Sequence, residues 1–201
     1  MKRIAISLSC LLVAFVSLVP SAAYAQRGAR TAPRSLDRLS QEADLIVRGS
    51  VVSARVEPHP QFKNLSTVVV SFAVDETLKG AAKKTIEFRQ FIWDIRDKLD
   101  SARYAKGSEM LLMLGPVSAY GLRSPVGLEQ GRFRILRDSA GKVTALNGTG
   151  NLGLLNIPQS KVQSKAAVSS RTAALVRQKP QGALPLADLE EAIRTFAGVS
   201  Q

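Results

Sequence analysis

The chain has 201 residues, with 28 Lys and Arg against 16 Asp and Glu, one His and one Cys. If the first 25 residues are an export signal, the remainder keeps 26 basic against 16 acidic residues and no cysteine. That excludes a disulfide scaffold, a zinc ribbon and a thiol nucleophile, and leaves His59 as the sole imidazole for any triad. About 176 residues from a chain that is 45% apolar suffice for one domain with a substantial core.

Lys2 and Arg3 form a short positive start, Ile4 to Val19 is an apolar run, and Pro20 ends it. Ala23-Tyr24-Ala25 then supplies the small-x-small pattern of a cleavage site. The run is shorter than the roughly 20 residues a membrane span needs. The expectation is an exported bacterial protein, periplasmic or extracellular, cleaved after Ala25, with no anchor afterwards.

Residues 26–35 carry three arginines and no acid, and read as a flexible leader. Ser35 suits the cap of a short helix over Leu36 to Ala43. From Asp44 the period changes to two. Asp44 to Val56 is rich in β-branched residues, and Pro58-His59-Pro60 interrupts it. Leu65 to Leu78 alternates Val68, Val70, Phe72 and Val74 against Thr67, Ser71 and Asp75, the pattern of a half-buried strand. Lys84 to Trp93 predicts another strand, and Asp94 to Ala105 a polar loop. Glu109 to Leu114 holds a continuous apolar run after its first residue, as in a strand covered on both faces. Leu128 to Leu136 and Lys142 to Leu146 predict a closing hairpin.

Six strands in about 110 residues predict a mainly β domain over 36–156, a closed or nearly closed antiparallel OB-like barrel, with a sandwich as alternative. Residues 157–184 are rich in Ser, Gln, Lys and Ala and predict a basic linker with weak helix near Ala173 to Arg177. Leu186, Leu189, Ile193 and Phe196 recur at helical spacing, so 185–198 predicts an amphipathic helix, docked on the barrel or on a partner. Residues 139–187 hold six basic residues and no acid, while 37–138 is near balance. The excess therefore lies mostly in end segments.

Chemistry-bearing residues are sparse. Proline flanks predict an exposed loop for His59. The stretches GLRSPVGLEQG (121–131) and NGTGNLG (147–153) lack the strand–loop–helix context of a phosphate cradle. They predict tight turns, or a pocket of paired loops with polar groups from Ser124, Glu129, Gln130, Arg132, Asn147 and Asn151. Glu129 with Glu109 or Asp138 is a conceivable carboxylate pair. Arg89, Phe91, Trp93 and Arg96 form a possible second interaction face. A nucleic-acid reading is disfavoured, because a single-strand binder joins its stacking aromatics to a basic groove.

ADLIVRGSVVS (43–53), TVVVSFAVDETLKG (67–80), KTIEFRQ (84–90) and GSEMLLML (107–114) together resemble the netrin-like modules built on an OB-fold barrel, which include tissue inhibitors of metalloproteinases. With GLEQGRFRI (127–135), the chain is closer still to a family of exported bacterial proteins of that shape, with no assigned activity. The resemblance covers about residues 36–153. The inhibitors hold zinc through an N-terminal cysteine, which this chain lacks, so that site is not carried over. The expectation is a non-catalytic interaction module that needs no cofactor or metal and meets a protein or an envelope polyanion. The alternatives are a hydrolase centred near Glu129 and a peptidase inhibitor without the cysteine chelate. A cleft of converging, pKa-shifted carboxylates favours the enzyme, an exposed apolar patch the module, and a protruding loop the inhibitor.

Overall fold

The computed structural model describes residues 31–92, 103–163 and 168–198. The signal expected at 1–25, and Trp93 and Arg96 of the second face, lie outside the described residues.

Helix α1 (Leu36–Glu42) follows Ser35, as its sequence predicts, and buries Leu36 and Leu39. Its C-terminal carbonyls are gathered by one cation. Lys79 Nζ donates to the carbonyls of Ser40, Gln41 and Ala43 at 2.9, 3.0 and 2.5 Å. A positive charge at a helix C-terminus complements its dipole.

Seven strands follow: β1 (Leu45–Pro58), β2 (Ser66–Lys79), β3 (Thr85–Phe91), β4 (Glu109–Leu114), β5 (Arg132–Arg137), β6 (Val143–Asn147) and the short β7 (Leu184–Pro185). They form one antiparallel sheet in the order β3-β2-β1-β4-β5-β6-β7. Strand β1 is the hinge of the architecture: it pairs with β2 along its length and with β4 through Leu45 to Ser50. Three register shifts interrupt its ladder with β2. Such irregularities bend a strand and raise its twist. Gly49 sits at one of them, and a Cβ there would fall 1.9 Å from the Ala73 carbonyl oxygen. Glycine is what lets the two backbones approach.

The expected mainly β, antiparallel fold with helices at its ends stands; the sheet is not closed, and β3 and β7 are its edges. The reason lies in the closing hairpin. Strand β5 gives one edge to β4 and the other to β6, so it has none left for β3. What remains of closure is the segment 115–125. It bridges Leu114 through Pro125 and touches β3 at one isolated parallel bridge, Arg89 with Leu122. The Arg123 N–H donates to the Arg89 carbonyl at 2.8 Å.

Both faces of the sheet are covered. Inside the curl lie Val47, Val68, Val70, Phe72, Phe88, Met110 and Leu112. On the other face Ile46, Leu111, Met113 and Phe133 pack against helices. Strand β4 alternates between the two layers, which accounts for its unbroken apolar sequence.

The helices on that second face correct the expected linker. Residues 157–184 contain α2 (Gln159–Gln163) and α3 (Ser170–Gln178). Ser169 Oγ caps α3 by accepting from the Thr172 N–H at 3.0 Å. Val162, Leu175 and Val176 enter the main core. Two of the segment's charges are paired: Lys161 with buried Asp37 at 2.7 Å, and Arg171 with Asp188 at 2.6 Å. Helix α4 (Leu186–Ala197) docks on the sheet through Leu189, Ala192, Ile193 and Phe196. Gly198 ends it with φ 72°, its N–H donating to the Arg194 carbonyl. Burial of each of its large apolar side chains is worth about 1.5–3 kcal/mol. Among the described residues, no helix is long and apolar enough to cross a membrane.

Candidate functional site

The two Gly-rich loops do meet, and backbone geometry joins them. Gly127 and Leu128 take positive φ of 62° and 56°, turning the chain into a 3-10 turn over Leu128–Gly131 that feeds β5. Gly148, just after β6, donates its N–H to the Glu129 carbonyl at 3.0 Å. A Cβ on Gly148 would lie 2.3 Å from Glu129 Oε2 and 2.8 Å from its Cβ, so the residue leaves room for that side chain.

Of the six polar residues expected around such a pocket, three are spent on building it. Asn147 and Asn151 are buried and tie down the second loop. The Asn147 N–H donates to Asn151 Oδ1 at 2.9 Å, and the Asn151 N–H returns to Asn147 Oδ1 at 2.7 Å. Asn151 Nδ2 also reaches the carbonyls of Ala145 and Gly182. Buried Gln130 straps the leader: its Oε1 accepts from the Arg34 N–H at 2.7 Å, and its Nε2 donates to Thr31 Oγ1 and the Ala32 carbonyl. Residues 31–34, expected to be flexible, are therefore held against the first loop. Ser124 lies apart on the 115–125 segment, where its carbonyl accepts from the Gly115 N–H.

Glu129 and Arg132 remain, and they line an open cleft of about 490 Å³ with Arg103, Ala105, Ser108, Met110, Arg134 and Gly148. Arg132 Nη2 donates to Glu129 Oε1, and Arg103 Nη1 pairs with the same oxygen at 2.9 Å. Arg132 is only 5% exposed, and its guanidinium carbon stands 4.7 Å from the centre of the Tyr104 ring, within cation–π range. Tyr104 in turn donates its hydroxyl to Gln90 Oε1 of β3 at 2.7 Å, tying the cleft wall to the inner core. Arg132 Nη1 is buried and has no hydrogen-bond acceptor. Burial opposes its charge, but Tyr104 and Glu129 outweigh it and raise its pKa, so the guanidinium is firmly cationic. Burial likewise pushes the Glu129 carboxyl up, yet Arg132 and Arg103 pull it below its ordinary 4.5.

Sequence reasoning missed Arg103 and Arg134. For Arg134 a signal existed: it lies two residues after Arg132 on a strand, so both project to one face. Arg103 lies within the stretch expected to be a polar loop and gave none. The possible carboxylate pairs do not form here, since neither Glu109 nor Asp138 lines the cleft. Glu109 pairs with Arg137 at 2.7 Å, and Asp138 Oδ1 caps its own turn through the Ala140 and Lys142 N–H groups.

The second face is partly described. Arg89 is committed to Glu57 Oε1 at 2.6 Å and Thr67 Oγ1 at 2.7 Å. Phe91 ends β3 and is half-buried. A shallower hollow of about 300 Å³ runs from Arg89 and Glu87 to Val117 and Arg123. Beside it His59, expected on an exposed loop, is buried at 2% exposure. Its stacked neighbour Phe62 and the edge-on Tyr120 are 44% and 58% exposed. The exposure expected from its proline flanks is corrected, because the turn folds Phe62 over the imidazole.

Among the described residues, no group of three or more His, Cys, Asp or Glu is placed to hold a metal ion. Comparison with known protein families, functionally described proteins and solved structures finds no match.

Proposed function

We propose that this protein is an exported, non-catalytic interaction module that holds an anionic partner at its Gly-rich loop end. The observation that carries the reading is the charge of the cleft: among the described residues, three arginines converge there against one carboxylate, and that carboxylate is already paired. Such an arrangement attracts an anion and orients it through the guanidinium forks. Export rests on the positive start, apolar run and Ala23-Tyr24-Ala25 site.

The hydrolase alternative has less support. A general acid needs a carboxyl whose pKa is raised, and Glu129 is held low by two cations. Among the described residues, no second carboxylate lines the cleft to share the work. Kinship with the netrin-like modules belongs to this proposal too. It is supported by the antiparallel run β3-β2-β1-β4-β5 and by the single bridge that brings residue 122 to β3. The exposed Phe62, Val117 and Tyr120 supply a possible second contact for a protein partner.

The test is retention of envelope material by the immobilised protein, compared with Arg134→Glu and with Arg55→Glu as a basic-residue control that does not line the cleft. Loss of retention in the first variant alone is expected. Equal retention by all three proteins would overturn the assignment of the partner to this cleft.

A further inference from the structure

We infer that the open edge of β3 takes up an extended segment of a partner protein as an added strand, with an acidic side chain of that segment beside Lys83 and Lys84. This site shares no residue with the cleft and stands whether or not the cleft binds an anion.

Backbone parity defines the edge. The Val74 N–H donates to the Lys84 carbonyl at 2.8 Å and the Ile92 N–H to the Ser66 carbonyl at 3.1 Å, so the even-numbered residues of this strand bond to β2. The odd-numbered residues turn their N–H and C=O groups away from it. Arg89 is one of them, and its carbonyl accepts from the Arg123 N–H of the 115–125 segment. Thr85 and Glu87 keep outward N–H and C=O groups with no backbone partner among the described residues. Both residues are exposed. Unpaired groups along an exposed edge are a template for another strand.

The surroundings select the occupant. Lys83 and Lys84 lead into the strand, are exposed, and make no ion pair among the described residues. Lysines at an edge discourage pairing between two copies of one chain, and they complement a carboxylate on an incoming segment. Glu87 has Arg55 at 3.9 Å, so the acid of the edge already has a cation near it. A hollow of about 300 Å³ opens at the same stretch. It is lined by Glu87 and Phe88 of β3, by Val117 and Gly121 of the 115–125 segment, and by Val69. An added strand puts alternate side chains on one face, and Val69, Phe88 and Val117 give one of them an apolar seat. Main-chain hydrogen bonds then supply affinity, while the hollow and the lysines supply selectivity.

A displayed library of random short peptides, selected on the immobilised protein, provides the test. Selected peptides are expected to share alternating apolar residues and an Asp or Glu, and to protect the Thr85 and Glu87 amides from hydrogen exchange. N-methylation of one alternating set of peptide amides should weaken binding by at least about tenfold, and methylation of the other set should not. Glu87→Pro removes an outward N–H and leaves the ladder to β2 intact, which an edge strand tolerates. It should weaken the peptides by at least about tenfold with little change in melting temperature. Lys83→Glu combined with Lys84→Glu should weaken acidic peptides by a similar factor. If Glu87→Pro unfolds the protein, the methylated peptides decide the point on the unaltered chain. No selected peptide, equal tolerance of both methylated sets, or peptides that leave the Thr85 and Glu87 amides unprotected would each overturn the inference. Sedimentation of the protein alone is the last arm. A dimer that Glu87→Pro dissolves would give the edge to a second copy of this chain and overturn the partner; a monomer keeps the edge open for it.

Discussion

His59 Nε2 donates to the backbone carbonyl of Tyr120 at 2.8 Å, across 61 positions of sequence. The other nitrogen, Nδ1, accepts from the Gln61 and Phe62 N–H groups at 3.2 and 3.3 Å, which places the ring hydrogen on Nε2. One imidazole thus caps the β1–β2 turn and ties it to the segment that approaches the β3 edge. His59→Ala should cost about 1–3 kcal/mol, since buried amides lose their acceptor. Urea denaturation measures the cost, and hydrogen exchange should show the Gln61 and Phe62 amides opening first. Unchanged protection of those two amides would remove this role.

Gly49 makes a sharper prediction. Its missing Cβ faces the Ala73 carbonyl, a backbone atom that cannot rotate away. Gly49→Ala should destabilise by about 3 kcal/mol or more, because overpacking here displaces a ladder. A denaturation midpoint equivalent to a loss below about 1 kcal/mol would mean that the β1–β2 crossing is looser than described.

Val176 tests the docking of the segment that reads as linker. It is fully buried among Leu175, Ile193 and neighbouring core residues. Val176→Asp places an unpaired carboxylate in that layer and should cost more than about 3 kcal/mol. Val52→Asp, at a position 44% exposed, should stay within about 0.5 kcal/mol. Similar thermal unfolding of the two variants would return residues 157–184 to a tether.

Acid should destabilise the fold. The Glu76 carboxyl is lowered from 4.5 by its hydrogen bond to Arg48, against burial and with help from Arg194. In Asp37 burial pushes upward, but Lys161 and Ser35 outweigh it and hold the group below 3.8. Glu129 is lowered as well. A carboxyl depressed in the folded state contributes its full stability above its unfolded pKa, and loses it as pH falls through the folded value. Glu190 has the opposite sign: burial and nearby Glu76 raise it, so its ionisation costs stability that protonation restores. Three depressed groups against one raised group predict a plateau above about pH 6 and a decline below about pH 4. Urea midpoints across that range check the slope, and Asp37→Asn should flatten it. A steeper acid limb in that variant would contradict the assignment.

Local signals located most of the elements. The alternation of Val68, Val70 and Phe72 placed those side chains on the inner face, where they lie. Ser35, Gly198 and the spacing of Leu189, Ile193 and Phe196 set the first and last helices within a residue or two. Around Val176 the weak helix near Ala173 to Arg177 was legible and falls inside Ser170–Gln178, but its docking was not, because Ser, Lys and Gln dominate the segment and a nine-residue helix offers few apolar positions. Its helix is held by the surface it meets, which composition does not describe.

The sequence by itself determined the absence of cysteine from the main body, the alternating strands, and the Gly-bearing turns, because period and turn chemistry act over a few residues. Tertiary structure decided whether the sheet closed, since β5 has two edges and β6 took the second. It also decided which polar residues were spent on scaffolding. Asn147, Asn151 and Gln130 resemble site residues in the chain, yet each is consumed by distant backbone, while Arg103 and Arg134 gather in the cleft. Hydrogen-bond partners and charge neighbours are set by approach through space, and linear spacing carries no record of them.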